Sequence, residues 1–371
     1  MKITCDREQF LTAFMTAATV APSRSTKAIL RNVKLEVTSE TATLMATDME
    51  VGIRIEVGGI DVEKPGTILA QVSLLGSILR ESNDDKLTIE SDENGTIVRG
   101  ERSVFKLPAE NPDEFPAVAS FNEEAYHNVP VRLFKELVRR TLFATDAESS
   151  RYALGGVLLE MEEDKITAVA TDGRRLAKME GPAKSVGGHG LGDTMTIVPS
   201  RAMQLMERAL ADNDAEIQIA ARANDIMVRS PRSTIYARLV EGRFPKWREV
   251  FPSRHDSVQI EVTVGPLYSA LRQAAIVASE ESRGIDFTFG DGTLVLAGST
   301  AEIGQSRVEL PIAYDGDAIA VTMDHRFVAD FLKVLDSEKP ISIDILDAES
   351  AALFTTDDGY GYVVMPLARE Q

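Results

Sequence analysis

The strongest constraint on this chain of 371 residues is that one short pattern occurs in it twice. LMATDMEVGIRI (44–55) and AVATDGRRLAKM (168–179) both place Ala-Thr-Asp between an apolar run and alternating apolar and charged residues. A catalytic site seldom occurs twice in a chain, whereas a duplicated domain repeats its turns. The two aspartates therefore set a repeat of about 120 residues, which indicates domain duplication and not a short-repeat solenoid.

Three such repeats fill the chain, because three comparable endings follow one another. The first repeat ends in KLPAENPDEFP (106–116), the second in LVEGRFPKWREVFP (239–252) and the third in YVVMPL (362–367). In the third repeat, LVLAGSTAEIG (294–304) stands at the place of the Ala-Thr-Asp turn and lacks the aspartate. We predict three domains, at residues 1–120, 121–252 and 253–371.

Periodicity predicts the elements of each repeat. Alternating residues joined by short Gly-, Asp- and Asn-rich turns indicate antiparallel strands, at 33–38, 51–57, 85–91, 96–100, 103–107, 156–162, 165–171, 216–222, 225–230, 234–240, 293–298 and 341–346. Helical spacing predicts helices near 6–18, 72–81, 131–146, 199–211, 266–280 and 324–336, with Ser73 and Asp324 as N-caps. The fold class is therefore α+β: three similar domains, each an antiparallel sheet with two helices.

Composition limits the function classes. The formal net charge of -18 argues against a protein whose whole surface attracts nucleic acid or anionic membranes. The single cysteine, Cys5, allows no disulfide within the chain and fits a reducing compartment. Charges interrupt the N-terminal segment where a signal peptide is apolar, and no apolar run reaches the roughly 18 residues of a membrane span. We expect a cytoplasmic protein without a membrane partner.

Signatures of catalysis are absent from the sequence. It contains neither a phosphate-binding P-loop nor a Gly-x-Ser-x-Gly nucleophile elbow, and the glycine-rich GGHGLGD (187–193) lacks dinucleotide-binding spacing. The histidines are scattered without metal-ligand spacing, at 127, 189, 255 and 325. A carboxylate hydrolase would need a perturbed pair of Asp or Glu residues, and no pair stands out. We predict no catalytic residue, no metal and no cofactor.

Several predicted helices carry cations on one face. In 131–146, Arg132, Lys135 and Arg139 lie opposite an apolar face made by Phe134, Leu137, Val138, Thr141 and Leu142. Further cations at helical spacing are Arg80, Arg201, Arg208, Arg272, Arg326 and Lys333. These cations either lie on the solvent-exposed faces of ordinary surface helices, or together form one surface that attracts the phosphates of a polyanion.

The segments VATDGRRLA, RYALGGVLLE, EGRFPKWREVFP and YVVMPL, in this order and spacing, resemble the bacterial DNA polymerase III β subunit family of replicative sliding clamps. The resemblance implies a non-catalytic processivity factor: a head-to-tail homodimeric ring, with helices lining a central channel around duplex DNA and sheets outside. Retention on DNA would be topological. DNA-facing residues would be Arg24, Arg80, Arg132, Lys135, Arg139, Arg201, Arg208, Arg272, Arg326 and Lys333.

The same resemblance implies a pocket between the second and third domains for short apolar peptides, typically beginning with Gln-Leu and ending in Leu-Phe. Methionine suits varied partners, and backbone groups orient an extended peptide. The implied pocket residues are Arg151, Tyr152, Leu154, Thr171, Gly173, Arg174, Arg175, Leu176, Pro245, Val250, Val363, Met365, Pro366 and Leu367. Judged without the resemblance, the apolar members are better explained as filling the core between domains.

The remaining implications concern assembly and partners. Phe105 and Leu107 would meet Ile276 and Val277 across the dimer interface. The implied partners are duplex DNA, the replicative polymerase catalytic subunit, the clamp loader, repair polymerases, mismatch-repair proteins and a second copy of the chain, in a cytoplasmic, nucleoid-associated setting. Arg174 stands where the family often has His and Glu249 where it often has a basic residue, so peptide charge preference is expected to differ. The alternative is a clamp-fold peptide-binding scaffold that does not encircle DNA.

Overall fold

The structure is a computed structural model, and it describes residues 1–92, 94–146, 148, 153–190, 195–210, 215–252, 257–279 and 283–367. The helices of this part, α1 to α7 in chain order, are Arg7–Ala18, Val72–Glu81, Val131–Thr141, Ser200–Ala209, Trp247–Val250, Val264–Ala274 and His325–Lys333.

The strands of the same part are antiparallel to their neighbours and are numbered β1 to β26 in chain order. They are Lys2–Asp6, Asn32–Val37, Ala42–Thr47, Val51–Glu56, Ile60–Lys64, Gly66–Gln71, Lys86–Asp92, Gly95–Arg99, Val104–Leu107, Tyr126–Pro130, Gly156–Met161, Lys165–Thr171, Arg175–Pro182, Lys184–Val186, Thr196–Pro199, Glu216–Ala221, Asp225–Arg229, Ser233–Arg238, Val258–Thr263, Gly284–Gly290, Thr293–Thr300, Gly304–Pro311, Ile319–Asp324, Pro340–Ile345, Ala352–Thr355 and Gly361–Val364.

One order of elements occurs three times along the chain. Each repeat begins with a strand and a helix (β1–α1, β10–α3 and β19–α6), continues with several strands and a second helix (α2, α4 and α7), and ends in three strands. The predicted α+β class is therefore confirmed. The short helix α5 lies in the segment that ends the second predicted repeat and was not predicted. The domain boundaries themselves stay predictions.

The helix ends test the N-caps and helix lengths that were predicted from the sequence. Asp324 is the N-cap of α7, since its Oδ1 accepts a hydrogen bond from the Arg326 N–H at 2.9 Å. The expectation for Ser73 was wrong: β6 runs to Gln71, which directly precedes α2 and makes no side-chain cap. Helices α3 and α6 are shorter than predicted, because each passes into a 3-10 turn, at Leu142–Ala144 and Ala275–Val277 respectively.

The described chain divides into two compact units. Unit 1 comprises residues 1–134, 161–164 and 183–239, and unit 2 comprises 135–160, 165–182 and 240–371. Unit 1 holds a 5-stranded sheet in the order β5-β1-β7-β8-β9 and a 9-stranded sheet in the order β14-β10-β16-β17-β18-β4-β3-β2-β6. The larger sheet is continuous because β18 of the second repeat pairs with β4 of the first, with Ile235 opposite Ile53.

Unit 2 is built by the same kind of pairing. The last strand of the third repeat, β26, pairs with β13 of the second repeat, and the sheet continues in the order β11-β12-β13-β26-β25-β24-β19. Strands β22-β21-β20-β23 form a separate sheet. Aromatic rings fill the core beneath β26: the ring of Phe331 stacks on Tyr362 with centroids 5.0 Å apart and on Tyr360 at 5.3 Å.

Two histidines that are distant in sequence form one buried chain of hydrogen bonds in unit 1. The Nδ1 atoms of His127 and His189 lie 2.7 Å apart. The Ala221 N–H donates to His189 Nε2 at 2.8 Å, so the His189 proton is on Nδ1 and is donated to His127. His127 Nε2 then donates to the Glu162 carbonyl at 2.6 Å. These bonds tie β10 to the turn after β14, to the end of β16 and to the residue that follows β11.

We expect this pair to make unit 1 less stable in acid. Burial, and then the nearness of His127, lower the pKa of His189 below its ordinary value. Between the folded pKa and the unfolded value of about 6.5 the unfolded chain binds more protons, so the contribution is complete above the unfolded pKa and is lost as pH falls. Urea unfolding at pH 7.5 and 5.0 should show a smaller loss for His189→Gln than for the native chain. An identical loss in both proteins would contradict the assignment.

Candidate functional site

The turn that joins β12 to β13 is held by its own side chains. Thr171 Oγ1 donates to the Arg175 carbonyl at 2.6 Å and accepts from the Gly173 N–H at 3.0 Å. Asp172 Oδ1 accepts from the N–H groups of Arg174 and Arg175 at 2.9 and 3.0 Å. Gly173 has φ 88°, a left-handed conformation that favours glycine. Asp172 is therefore used in building the turn.

The first copy of the pattern makes the same bonds in unit 1. Thr47 Oγ1 donates to the Val51 carbonyl at 2.8 Å, and Asp48 Oδ1 accepts from the N–H groups of Glu50 and Val51 at 3.0 and 2.7 Å. The repeated Thr-Asp is thus one hairpin device used twice, as the duplication predicted. It explains why an aspartate next to cations need not be catalytic.

Arg175 is an internal anchor of unit 2, with a side chain only 10% exposed. Its guanidinium binds Asp172 Oδ2 at 2.9 Å, Asp330 Oδ2 at 2.8 Å and the Phe143 carbonyl at 2.7 Å, and it lies 4.5 Å from the Phe327 ring centroid. Burial alone would lower its pKa, but the anionic and hydrogen-bonding groups around it outweigh burial and raise the pKa. Arg175 therefore fixes the hairpin against α7.

The neighbouring Arg174 is exposed, and its backbone connects the hairpin to the last strand. The Arg174 carbonyl accepts from the Met365 N–H at 2.9 Å, and Leu176 lies opposite Val363 in the β13–β26 pairing. Leu176 and Val363 are 3% and 1% exposed, whereas Met365 is 43% exposed. This end of the β13–β26 pair thus combines buried apolar side chains with the exposed, flexible thioether of Met365.

The segment with α5 is fastened to β11. The two ends of the Arg248 guanidinium bind the two oxygens of Glu160 at 2.8 and 2.7 Å, and Trp247 Nε1 donates to Glu160 Oε1 at 3.2 Å. Arg248 also lies 4.4 Å from the Trp247 ring centroid. With its neighbours fixed in this way, Val250 remains 50% exposed. An apolar side chain presented by an anchored segment is suited to contact a partner.

Two contacts bring this segment next to the other parts of the pocket. A Cβ built on Gly361 of β26 would lie 2.5 Å from Phe251 Cζ, so glycine is required for this close approach. The Ala153 N–H reaches the Arg243 carbonyl at 3.5 Å, which sets the chain around Leu154 beside the start of the segment. Unit 2 alone therefore supplies Leu154, Thr171, Gly173, Arg174, Arg175, Leu176, Pro245, Val250, Val363, Met365, Pro366 and Leu367. Arg151 and Tyr152 lie outside the described residues.

A polar cavity of about 330 Å³ adjoins this site on the side of Arg174. Its lining includes Arg174, Arg283 and Arg326, together with Asp172. On the α5 segment, Lys246 Nζ binds Glu249 Oε1 at 2.8 Å. The negative charge of Glu249, which stands where the family often has a basic residue, is therefore balanced by a neighbouring lysine. The charge at the rim is thus carried mainly by Arg174.

The cations predicted to face DNA, on helices and at the loop residue Arg24, lie at the surface of their units. Arg24, Arg80, Arg132, Arg201, Arg208, Arg139, Arg272 and Lys333 are exposed, and Lys135 and Arg326 are half-buried. Several already contact carboxylates: Arg201 Nη1 lies 2.7 Å from Asp48 Oδ2, and Lys333 Nζ lies 3.3 Å from Asp330 Oδ1. The Lys333–Asp330 pair, with side chains 55% and 31% exposed, contributes about 0–1 kcal/mol, so an external phosphate can replace its carboxylate. Their contact with DNA stays a prediction.

The predicted interface residues lie on edges with exposed apolar side chains. Phe105, 39% exposed, is on the edge strand β9 of unit 1, and Leu107 follows on the same strand. Ile276, 75% exposed, lies with Val277 on the 3-10 turn after α6 in unit 2. Sequence reasoning missed Val104, which is 54% exposed on β9, although it stands in the same alternating segment. Pairing of these edges stays a prediction.

The described part of the chain was also searched for membrane and metal features. None of its helices has the length and apolar character needed to cross a bilayer. Within the same residues, no group of three or more His, Cys, Asp or Glu side chains is placed to hold a metal ion.

Comparison with known proteins matches the chain along its length. Models of the DNA polymerase III beta subunit match in three consecutive parts: the N-terminal domain at residues 1–119, the central domain at 128–246 and the C-terminal domain at 248–368. The beta sliding clamp of Pseudomonas putida is 29% identical over 99% of this chain and 100% of its own. That of Escherichia coli K12 is 27% identical with coverage of 99% and 100%.

Solved structures agree with this match. The sliding clamp of Pseudomonas aeruginosa bound to griselimycin has a TM-score of 0.93 at 28% identity, with 100% of both chains covered. The Bartonella birtlesii clamp, also bound to griselimycin, has a TM-score of 0.90 at 25% identity, again with 100% of both chains covered. The Bacillus subtilis clamp, at 20% identity with full coverage of both chains, shares the fold with a TM-score of 0.92.

The adjacent arginines allow a matched test of the hairpin. Replacing Arg175 by glutamine leaves the half-buried Asp172 and Asp330 without their cation, and we expect a loss of about 3 kcal/mol in the free energy of unfolding. Arg174→Gln removes an exposed cation and should change it by less than about 0.5 kcal/mol. Urea unfolding of both variants measures the difference, and equal losses would contradict the anchoring role.

Proposed function

The chain belongs to the DNA polymerase III beta subunit family, and on that basis we propose that it is a sliding clamp, which encircles duplex DNA and keeps the replicative polymerase on it. The observation that carries the proposal is the match of all three consecutive family domains to the three repeats. The protein acts without catalysis and without a cofactor. It works in the cytoplasm, at the nucleoid.

The proposed assembly is a head-to-tail homodimeric ring, and its electrostatics support DNA passage. The chain is acidic, with a net charge of -18, yet the exposed faces of its helices carry arginines and lysines. Helices that line the channel attract phosphates without reading base sequence, whereas the acidic remainder repels DNA outside the ring. The ring closes when β9, with Phe105 and Leu107, meets Ile276 and Val277 of a second copy. DNA is then retained by topology.

The apolar site of unit 2 is the proposed docking site for partner peptides. Leu176 and Val363 form its floor, and the exposed Met365 and Val250 adapt to different side chains. Arg175 holds the hairpin from inside, whereas Arg174 is exposed at the rim. An extended peptide with an apolar Leu-Phe end fits these properties. The proposed partners are the polymerase catalytic subunit, the clamp loader, repair polymerases and mismatch-repair proteins.

Peptide docking is tested by fluorescence anisotropy with a labelled Gln-Leu-x-Leu-Phe peptide. Truncating both exposed side chains, Val250→Ala with Met365→Ala, removes apolar contact area and should weaken binding at least about tenfold. Met195→Ala truncates a side chain that is 52% exposed in unit 1 and should leave the affinity unchanged. Binding that both variants weaken equally, or no saturable binding by the native chain, would refute this pocket.

Encirclement is tested by the form of the DNA. After loading, the clamp should stay on circular DNA and leave when the circle is cut, because nothing but topology holds it. Arg139→Glu with Arg208→Glu should reduce loading strongly and leave peptide binding unchanged, whereas Lys184→Glu, an exposed change on β14, should affect neither. Equal retention on circular and linear DNA would favour the scaffold that does not encircle DNA.

A further inference from the structure

A second polar cavity belongs wholly to unit 1 and contains none of the residues assigned above. Its volume is about 450 Å³, and its lining includes Arg54, Arg229 and Arg232. Hydroxyl groups line it as well, among them those of Thr43 and Thr234. A volume of this size lies within the range of about 300–1,000 Å³ that small-molecule sites occupy.

The register of the 9-stranded sheet builds the floor of this cavity. Met45, Arg54, Thr234, Arg229 and Gln218 lie directly opposite one another across five neighbouring strands. The two arginines are thus separated by one strand, about 10 Å between their backbones. Arg54 Nη1 lies 3.3 Å from Met45 Sδ, and Arg229 Nε donates to Gln218 Oε1 at 2.8 Å. Both side chains lean outward and leave a gap over Thr234.

The segment between the first two repeats holds both arginines in place. Arg54 Nη1 also donates to the Val118 carbonyl at 3.2 Å. The Arg229 guanidinium lies 4.5 Å from the ring centroid of Phe121, which is itself buried against Met227. Two apolar clusters, around Val118 and around Phe121, therefore flank the polar gap. The cations are positioned before any ligand arrives.

The cavity collects positive charge in a chain that is acidic overall, with 58 Asp and Glu against 40 Lys and Arg. In the described part of the chain, however, none of Arg54, Arg229 and Arg232 forms an ion pair. Glu56 is the carboxylate that faces them in the lining. Three guanidinium groups and several hydroxyl donors exceed what one carboxylate neutralises.

We propose that this cavity binds a small multivalent phosphate, either free pyrophosphate or the diphosphate group of a nucleotide. Guanidinium groups bind phosphate oxygens in pairs of parallel hydrogen bonds, and the hydroxyls of Thr43 and Thr234 add donors at the floor. The site uses residues of unit 1 alone and is independent of DNA encirclement and of peptide docking.

Isothermal titration calorimetry of the full chain with inorganic pyrophosphate, and separately with ADP, tests the proposal. The native chain should bind saturably at physiological salt. Arg229→Gln with Arg232→Gln should weaken binding at least tenfold, and thermal unfolding of the variant checks that it is folded at the temperature of the titration. Thr234→Val should weaken binding less, and Arg99→Gln not at all. Tighter binding of ADP would identify a nucleotide as the source, and equal binding would identify the phosphate chain.

Three results would overturn the proposal. The first is no saturable binding of pyrophosphate or ADP by the native chain. The second is equal binding by the arginine variant, which would place the anion elsewhere. The third is a short duplex DNA or an acidic peptide that binds in an Arg229-dependent way where pyrophosphate does not, which would make the cavity a macromolecular contact.

Discussion

The structure depends on one kind of interaction: the strand that follows each Thr-Asp turn pairs with the last strand of the next repeat. β4 pairs with β18, and β13 pairs with β26. This pairing joins repeats through backbone hydrogen bonds, and its register decides which side chains share a face. A slip of one residue would turn Leu176 and Val363 to the opposite side of the sheet. The side-chain bonds within each turn fix where the strand begins and so hold that register.

The two junctions between repeats, β4 with β18 and β13 with β26, have the same strand geometry but are covered differently by the segments that follow. Gly52 and Leu176 occupy equivalent positions, each four residues after the aspartate of its turn. In the pairing with the next repeat, Tyr236 lies opposite Gly52 and Val363 lies opposite Leu176. A Cβ on Gly52 would lie 3.0 Å from Val118 Cγ1, because the segment after the first repeat packs down onto the strand.

The corresponding segment after the second repeat packs on its strand through Phe251, beside Gly361, but leaves the neighbouring Val250 in solvent. Val250 is 50% exposed, whereas Val118 is 9% exposed. The first junction is therefore covered by its own chain, and the second keeps an exposed apolar side chain beside it. One duplicated device thus gives core in unit 1 and the proposed docking surface in unit 2.

Local patterns in the sequence predicted twelve of the 26 strands and six of the seven helices that the structure describes, together with the repeated hairpin, because alternation and turn chemistry act within a few residues. They could not separate Arg174 from Arg175. Adjacent arginines look alike in sequence, and only pairing with β26, far along the chain, decides that one is exposed and the other buried. The histidines show the same limit. Their wide spacing along the chain gave no sign of the His127–His189 contact. The contact forms because β10 pairs with β14 and so lies beside the turn that follows β14.

The ion pairs on the helices have a consequence for motion along DNA. Arg139 and Glu136, 2.7 Å apart, and Lys333 and Asp330, 3.3 Å apart, stand three positions apart on their helices. In the proposed ring, with these helices facing DNA, each such cation would already have an anion within reach whenever a phosphate departs. Gaining a phosphate would then mean exchanging one weak partner for another. The free energy along the duplex would stay nearly flat, and the friction against one-dimensional diffusion would stay low.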